Sequence, residues 1–316
     1  MLIESSKLFF TRSDYINILS SQNLETAIGY LSEKFLASEI GKLAGIHRIS
    51  LIDVYNALDK GYRGILQSLF SQAKNEERSI ADKILWLLSS LDLYLSLNAL
   101  TAGVKPPLMA SPLPLLIPEI PDPMNIYILK EILPVELHGL VKEYINKRSI
   151  QLQQIIRALD SLAMKVDKLK YYELSVLVNL LHDIQLLKAC ILYPEVRQLQ
   201  PRVFSLNPAD FYENCGKSIR EVSAMLSKDR PFAVVFSEAI NDSLKFSSGI
   251  EALDLGVYTG LHYLASLILQ KTVIEKTCRL MLKLLGQYVF LKLVFTVAGS
   301  GLYRQEASAF ISKWVT

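Results

Sequence analysis

The chain is poor in the side chains that carry most protein chemistry, with four histidines and three cysteines among its 316 residues. His47, His138, His182 and His262 never fall at His-x-x-x-His or Glu-x-x-His spacing, so a metal site on one helix face is not expected and ordinary core or surface histidines are. The adjacent His182 and Asp183 should point to different sides of a helix and form no dyad. Cys190, Cys215 and Cys278 are odd in number and far apart, which predicts reduced, buried thiols and no disulfide framework. The chain also lacks a Gly-x-x-x-x-Gly-Lys-Ser/Thr phosphate loop, a Gly-x-Ser-x-Gly elbow and an Asp-rich metal box. Neither nucleotide hydrolysis nor a cofactor nor a small-molecule substrate is expected of it.

Other absences bear on fold and location. No Asn-Gly or Asp-Gly hairpin turn occurs, and β-branched residues rarely alternate with polar ones, so strand signals are weak. The net charge of +3 comes from 34 basic and 31 acidic residues that are interspersed, which leaves no basic run to track a phosphate backbone and argues against nucleic acid. Met1-Leu2-Ile3-Glu4-Ser5 lacks a basic start before an apolar run, so no export signal is read and a cytosolic location is expected.

What is abundant is apolar surface. Hydrophobic residues make up 51% of the chain and the mean hydropathy is +0.26, which raises the question of a membrane. In the greasiest window, 280–298, about eleven Leu, Val and Phe residues at roughly −0.3 to −0.6 kcal/mol each oppose Lys283 and Lys292 at roughly +2.5 to +3.5 each. The sum is near zero. The other two long apolar runs, 84–100 and 174–192, carry Asp92, and His182, Asp183 and Lys188, near their centres. All three read as buried helices of a soluble protein.

Proline divides the chain. Seven of the twelve prolines lie between Pro106 and Pro123, and a second break falls at Pro194, Pro201 and Pro208. The expected organisation is a helical repeat over 1–103, a Pro-rich extended linker without helix over 104–123, a repeat over 124–193, a linker over 194–204 and a repeat over 205–316. Ser50 with Asp53, Ser79 with Asp82 and Ser218 with Glu221 have capping-box spacing, and Asn207-Pro208 places a cap before proline at the first helical position. Gly103, Gly299 and Gly301 are stop signals. The fold class is all-α.

The segments resemble one another. The first and third open with Thr11-Arg12-Ser13-Asp14-Tyr15 and Asn207-Pro208-Ala209-Asp210-Phe211, and all three close with a long apolar helix. Asp183 and Lys188 in the second closing helix stand at the same offset as Gln287 and Lys292 in the third, which predicts equivalent positions. Here the sequence resembles the C-type (in eukaryotes d-type) central-stalk components of archaeal and vacuolar-type rotary ATPases. Phe10-Thr11-Arg12-Ser13-Asp14-Tyr15 and Leu24-Glu25-Thr26-Ala27 match that family's opening. Asp183 with Leu187-Lys188, and Leu291-Lys292 before Val297-Ala298-Gly299-Ser300-Gly301-Leu302, match its closing pattern. The family's asparagine is replaced by Leu186 and Phe290, and Leu97-Asn98 stands where a basic residue is expected in the first repeat.

The resemblance implies three pseudo-equivalent helical-bundle repeats arranged as a funnel, held at the cytoplasmic face of the cell membrane on the proteolipid ring and receiving the central rotor shaft. It implies a non-catalytic, peripheral central-stalk component that links ion transport to ATP synthesis or hydrolysis by other subunits. The candidate partner-binding residues are Ser89, Asp92, Ser96, Lys188 and Lys292. Ser89, Asp92 and Ser96 share a stripe on an otherwise apolar helix. They either face a polar cavity that receives a partner or form a local Asp–Ser hydrogen-bond cluster. Lys188 and Lys292 either snorkel to a surface or pair with a carboxylate such as Asp183 or Glu275. The rivals are a membrane helical scaffold and a metal-free helical enzyme with an apolar pocket.

Overall fold

The computed structural model describes residues 8–32, 34–43, 48–103, 111–121, 125–167, 171–247 and 249–315. The N-terminal pentapeptide, His47 and the prolines at 106, 107 and 123 lie outside them. Among the described residues every regular element is a helix. Those of six or more residues are α1 (Arg12–Ser20), α2 (Leu24–Gly29), α3 (Leu51–Gln72), α4 (Asn75–Ala102), α5 (His138–Lys147), α6 (Leu152–Asp167) and α7 (Tyr172–Leu192). After a 3₁₀ turn at Pro194–Leu199 come α8 (Pro208–Asn214), α9 (Ile219–Leu226), α10 (Pro231–Ser243), α11 (Ile250–Ile268), α12 (Val273–Ser300) and α13 (Arg304–Trp314).

Local chemistry sets several helix starts. Thr11 with Asp14, Ser50 with Asp53, Ser218 with Glu221 and Thr272 with Glu275 each form a reciprocal capping box, and the Asn207 side chain accepts from the Ala209 amide. The expected start at Ser79 is corrected. That residue lies inside α4, which begins at Asn75 with Glu76 and Glu77 in its first turn, where the positive helix end favours acids. Gly103 and Gly301 end α4 and α12 in the left-handed conformation, whereas Gly299 lies inside α12. The linker is not wholly extended, since Leu113–Leu116 forms one helical turn. Pro112 and Pro114 sit at its start, where a missing donor costs nothing.

Helix α12 is the hub, buried along most of its length and packed by α1, α2, α3, α4, α11 and α13. A helix apolar on nearly every side has no solvent face and must be wrapped in this way. Helix α4 packs on α6, α7 and α12. The N-terminal ends of α4, α7 and α12 meet around a cleft lined by Glu77, Tyr171 and Ile274. Helices α10 and α11 approach closely because Gly256 and Gly260 face Ile240 and Phe236; a Cβ on Gly256 would lie 2.5 Å from the Ile240 Cα.

The reading of reduced thiols is corrected for one pair. Cys190 at the end of α7 is bonded to Cys215 after α8, with Cα atoms 5.1 Å apart, and Cys278 is free and buried. The 3₁₀ turn and the capped turn of α8 fold the intervening chain back on itself. A 25-residue separation in sequence thereby becomes contact in space.

Candidate functional site

The predicted site residues are all buried, with Ser89, Asp92, Ser96, Lys188 and Lys292 exposed by 0, 3, 3, 2 and 4%. They do not form one site. Lys188 Nζ donates to Asp92 Oδ1 at 2.8 Å and to Asp254 Oδ2 at 2.9 Å, so one ammonium joins α4, α7 and α11. Burial alone would lower the Lys188 pKa, but the two carboxylates outweigh it and raise it. Burial raises Asp254 to about 6 against the pull of Lys188, with Asp92 adding to the rise. Asp254 was missed from sequence, although a lone charge in the apolar run Leu253-Asp254-Leu255 is the signal that singled out Asp92.

Asp92 Oδ2 also accepts from Ser111 Oγ at 2.6 Å. The Ser89 and Ser96 hydroxyls have no hydrogen-bond partner among the described residues. The stripe is therefore neither a local Asp–Ser cluster nor a face open to solvent, because Asp92 turns to a lysine that only the tertiary fold supplies.

Lys188 and Lys292 do not pair with Asp183 or Glu275, since other donors occupy those carboxylates. Glu275 accepts from the Lys271 and Thr272 amides at the α12 cap. Asp183 Oδ2 accepts from the Ser205 and Leu206 amides at 2.6 and 2.8 Å, and Oδ1 from that of Phe204 at 3.0 Å. Lys292 instead lies 3.1 Å from Asp59 Oδ1 and over the rings of Tyr288 and Tyr55, at 4.4 and 5.1 Å. Tyr288 Oη donates to the same Asp59 oxygen at 2.6 Å. Burial lowers the Lys292 pKa, and Asp59 only partly offsets it.

The expectation that His182 and Asp183 form no dyad is overturned. His182 Nδ1 lies 2.9 Å from Asp183 Oδ1 and Nε2 2.8 Å from Asp160 Oδ1. Residues one apart on a helix diverge at Cβ, but the backbone amides after Val203 fix the Asp183 carboxylate, and the fully buried imidazole turns to meet it. Phe204 closes over the ring edge-on at 4.5 Å. Burial alone would lower the His182 pKa, yet its hydrogen bonds to Asp160 and Asp183 raise it.

A third position repeats this use of a polar side chain. Gln287 on α12 accepts from the Phe10 amide at 2.7 Å and donates to the Leu8 carbonyl at 3.0 Å. Asp92, Asp183 and Gln287 thus each hold the chain just before a short helix: Leu113–Leu116, α8 and α1, respectively. The chemistry of these groups is positional, because their polar atoms are taken up in fixing backbone or in charge neutralisation. Among the described residues no group of three or more His, Cys, Asp or Glu side chains could hold a metal ion. No family model and no curated protein sequence matches the chain.

Proposed function

We propose that this chain is a non-catalytic coupling component of a rotary ATPase, of the C-type or d-type found in the central stalk. In this reading it is a funnel of three pseudo-equivalent repeats at the cytoplasmic face of the membrane, seated peripherally between the proteolipid ring and the central rotor shaft. One observation supports this above others. The closing helix of the first segment holds the lead-in to the second through Asp92 and Ser111. That of the second holds the lead-in to the third through Asp183 and residues 204–206. That of the third returns to hold the lead-in to the first through Gln287 and Phe10. Each copy of a triplicated unit is latched by the one before it, and the order closes on itself. A part that transmits torque needs such rigidity together with two interfaces, and the ammonium of Lys188 ties one helix from each segment at the centre.

A second reading rests on α4, α7 and α12, which are long and apolar enough by length and composition to cross a membrane. Against it, 72, 78 and 78% of their most apolar windows are buried inside the protein. A lipid-facing helix would leave that surface free. The test is to wash native membranes with low-ionic-strength chelator or high salt and to identify what co-purifies with the released chain. Polar contacts to a protein ring weaken under those washes. Release together with shaft and proteolipid subunits is expected. Retention until detergent is added, with neither partner present, overturns the coupling reading in favour of a membrane scaffold.

A further inference from the structure

A cavity of about 280 Å³ opens between the end of α10, the first turns of α11 and the last turns of α12, with the α12–α13 connection as its lip. Its walls are largely apolar, built from Ala252, Leu255, Val289 and Leu293, with the aromatic rings of Phe246 and Tyr303 at one side. Those rings meet edge-on at 6.4 Å. Tyr303 holds a left-handed backbone (φ 60°), unusual for a bulky residue, which sets its half-exposed ring at the rim. The partly buried carboxylate of Glu251 lies in the same wall. Among the described residues its sole hydrogen bond is a long one of 3.5 Å from Ser247 Oγ, and no cation there pairs with it. Lys292 also borders the space, but it is paired with Asp59 at 3.1 Å, which leaves Glu251 as the lining charge without a close counter-ion among the described residues.

We propose that this cavity is a binding site for a small organic ammonium ion with an alkyl or aryl body. The apolar walls take the body, and Glu251 with the two aromatic rings takes the cationic head, a pairing that favours desolvated ammonium groups. A carboxylate that keeps one weak partner in an apolar wall gains most from a ligand that brings its own positive charge. The site does not depend on the coupling role, since it is complete within the third segment.

Three probes with a common phenylalkyl body separate the head-group from the body: phenylbutylammonium, phenylbutanol and phenylbutanoate, each titrated calorimetrically into the full chain. The expected order is ammonium first, alcohol second and carboxylate last. Glu251→Gln should weaken the ammonium by roughly tenfold and leave the alcohol unchanged. Leu293→Trp, a substitution on a half-buried wall position, should abolish binding of all three while thermal melting reports an intact fold. No binding by any probe, carboxylate binding as tight as ammonium, or an ammonium preference that survives Glu251→Gln would each overturn the proposal.

Discussion

At the scale of single residues, two buried ionic clusters each set two carboxylates around one basic group and titrate in different windows. Asp92 and Asp254 share Lys188, so the cluster holds more negative charge than positive, and burial raises Asp254 from the ordinary 3.8 to about 6. A carboxyl with a higher pKa folded than unfolded stabilises the fold below its unfolded value, and that contribution is lost as pH rises through the folded value. The urea midpoint of the wild-type chain should therefore fall between about pH 4 and pH 6, and Asp254→Asn should flatten that fall. Lys188→Ala leaves both carboxylates uncompensated, and we expect a loss of about 3–5 kcal/mol at neutral pH in the same measurement. His182 is raised from 6.5 because its hydrogen bonds to two carboxylates overcome burial. Its contribution is complete below 6.5 and declines as pH rises through the raised value. A His182→Gln variant should differ from the wild type mainly in the slope of stability above about pH 6.5, a window distinct from that of Asp254.

At the scale of elements, the closing helices are long because nothing interrupts their apolar runs, and each latches a neighbouring segment through one polar side chain. Gln287→Leu removes an acceptor and a donor from the lead-in to α1, exposing or orphaning the Phe10 amide and the Leu8 carbonyl. The expected cost is about 1–3 kcal/mol, with hydrogen exchange of the Phe10 amide rising more than that of amides in α11. Packing between α10 and α11 depends on glycine. Gly256→Val would press a branched side chain against the Ile240 backbone, which cannot turn away as a flexible side chain can. Chemical denaturation should show a loss of about 1–3 kcal/mol, and a silent substitution would mean that α10 can slide. Capping chemistry explains both what sequence foretold here and where it misled. Ser218 with Glu221 caps a real start, but the same spacing at Ser79 with Asp82 falls within a helix already begun upstream.

At the scale of the whole molecule, the disulfide and the proposed cytoplasmic placement pull apart, because reducing compartments keep thiols free. Alkylation of the chain taken from native membranes, followed by mass spectrometry, decides between them. Free thiols at Cys190 and Cys215 fit the cytoplasmic face, and a persistent bond places the chain in an oxidising compartment. Where the bond is intact, reduction should cost about 3 kcal/mol for a loop of this length. Sequence by itself determined the all-helical class, the helix starts at Ser50, Asn207 and Ser218, the stops at Gly103 and Gly301 and the burial of the three apolar runs, because capping, proline and hydrophobic content act within a few residues of one another. It also singled out Asp92, Lys188 and Lys292 as charges that an apolar helix must satisfy. Their partners Asp254 and Asp59, the meeting of His182 with Asp160 and Asp183, and the Cys190–Cys215 bond were decided only by the tertiary structure. An ion pair is selected by which groups meet in three dimensions within about 4 Å, and no local periodicity records which distant helix supplies the counter-charge.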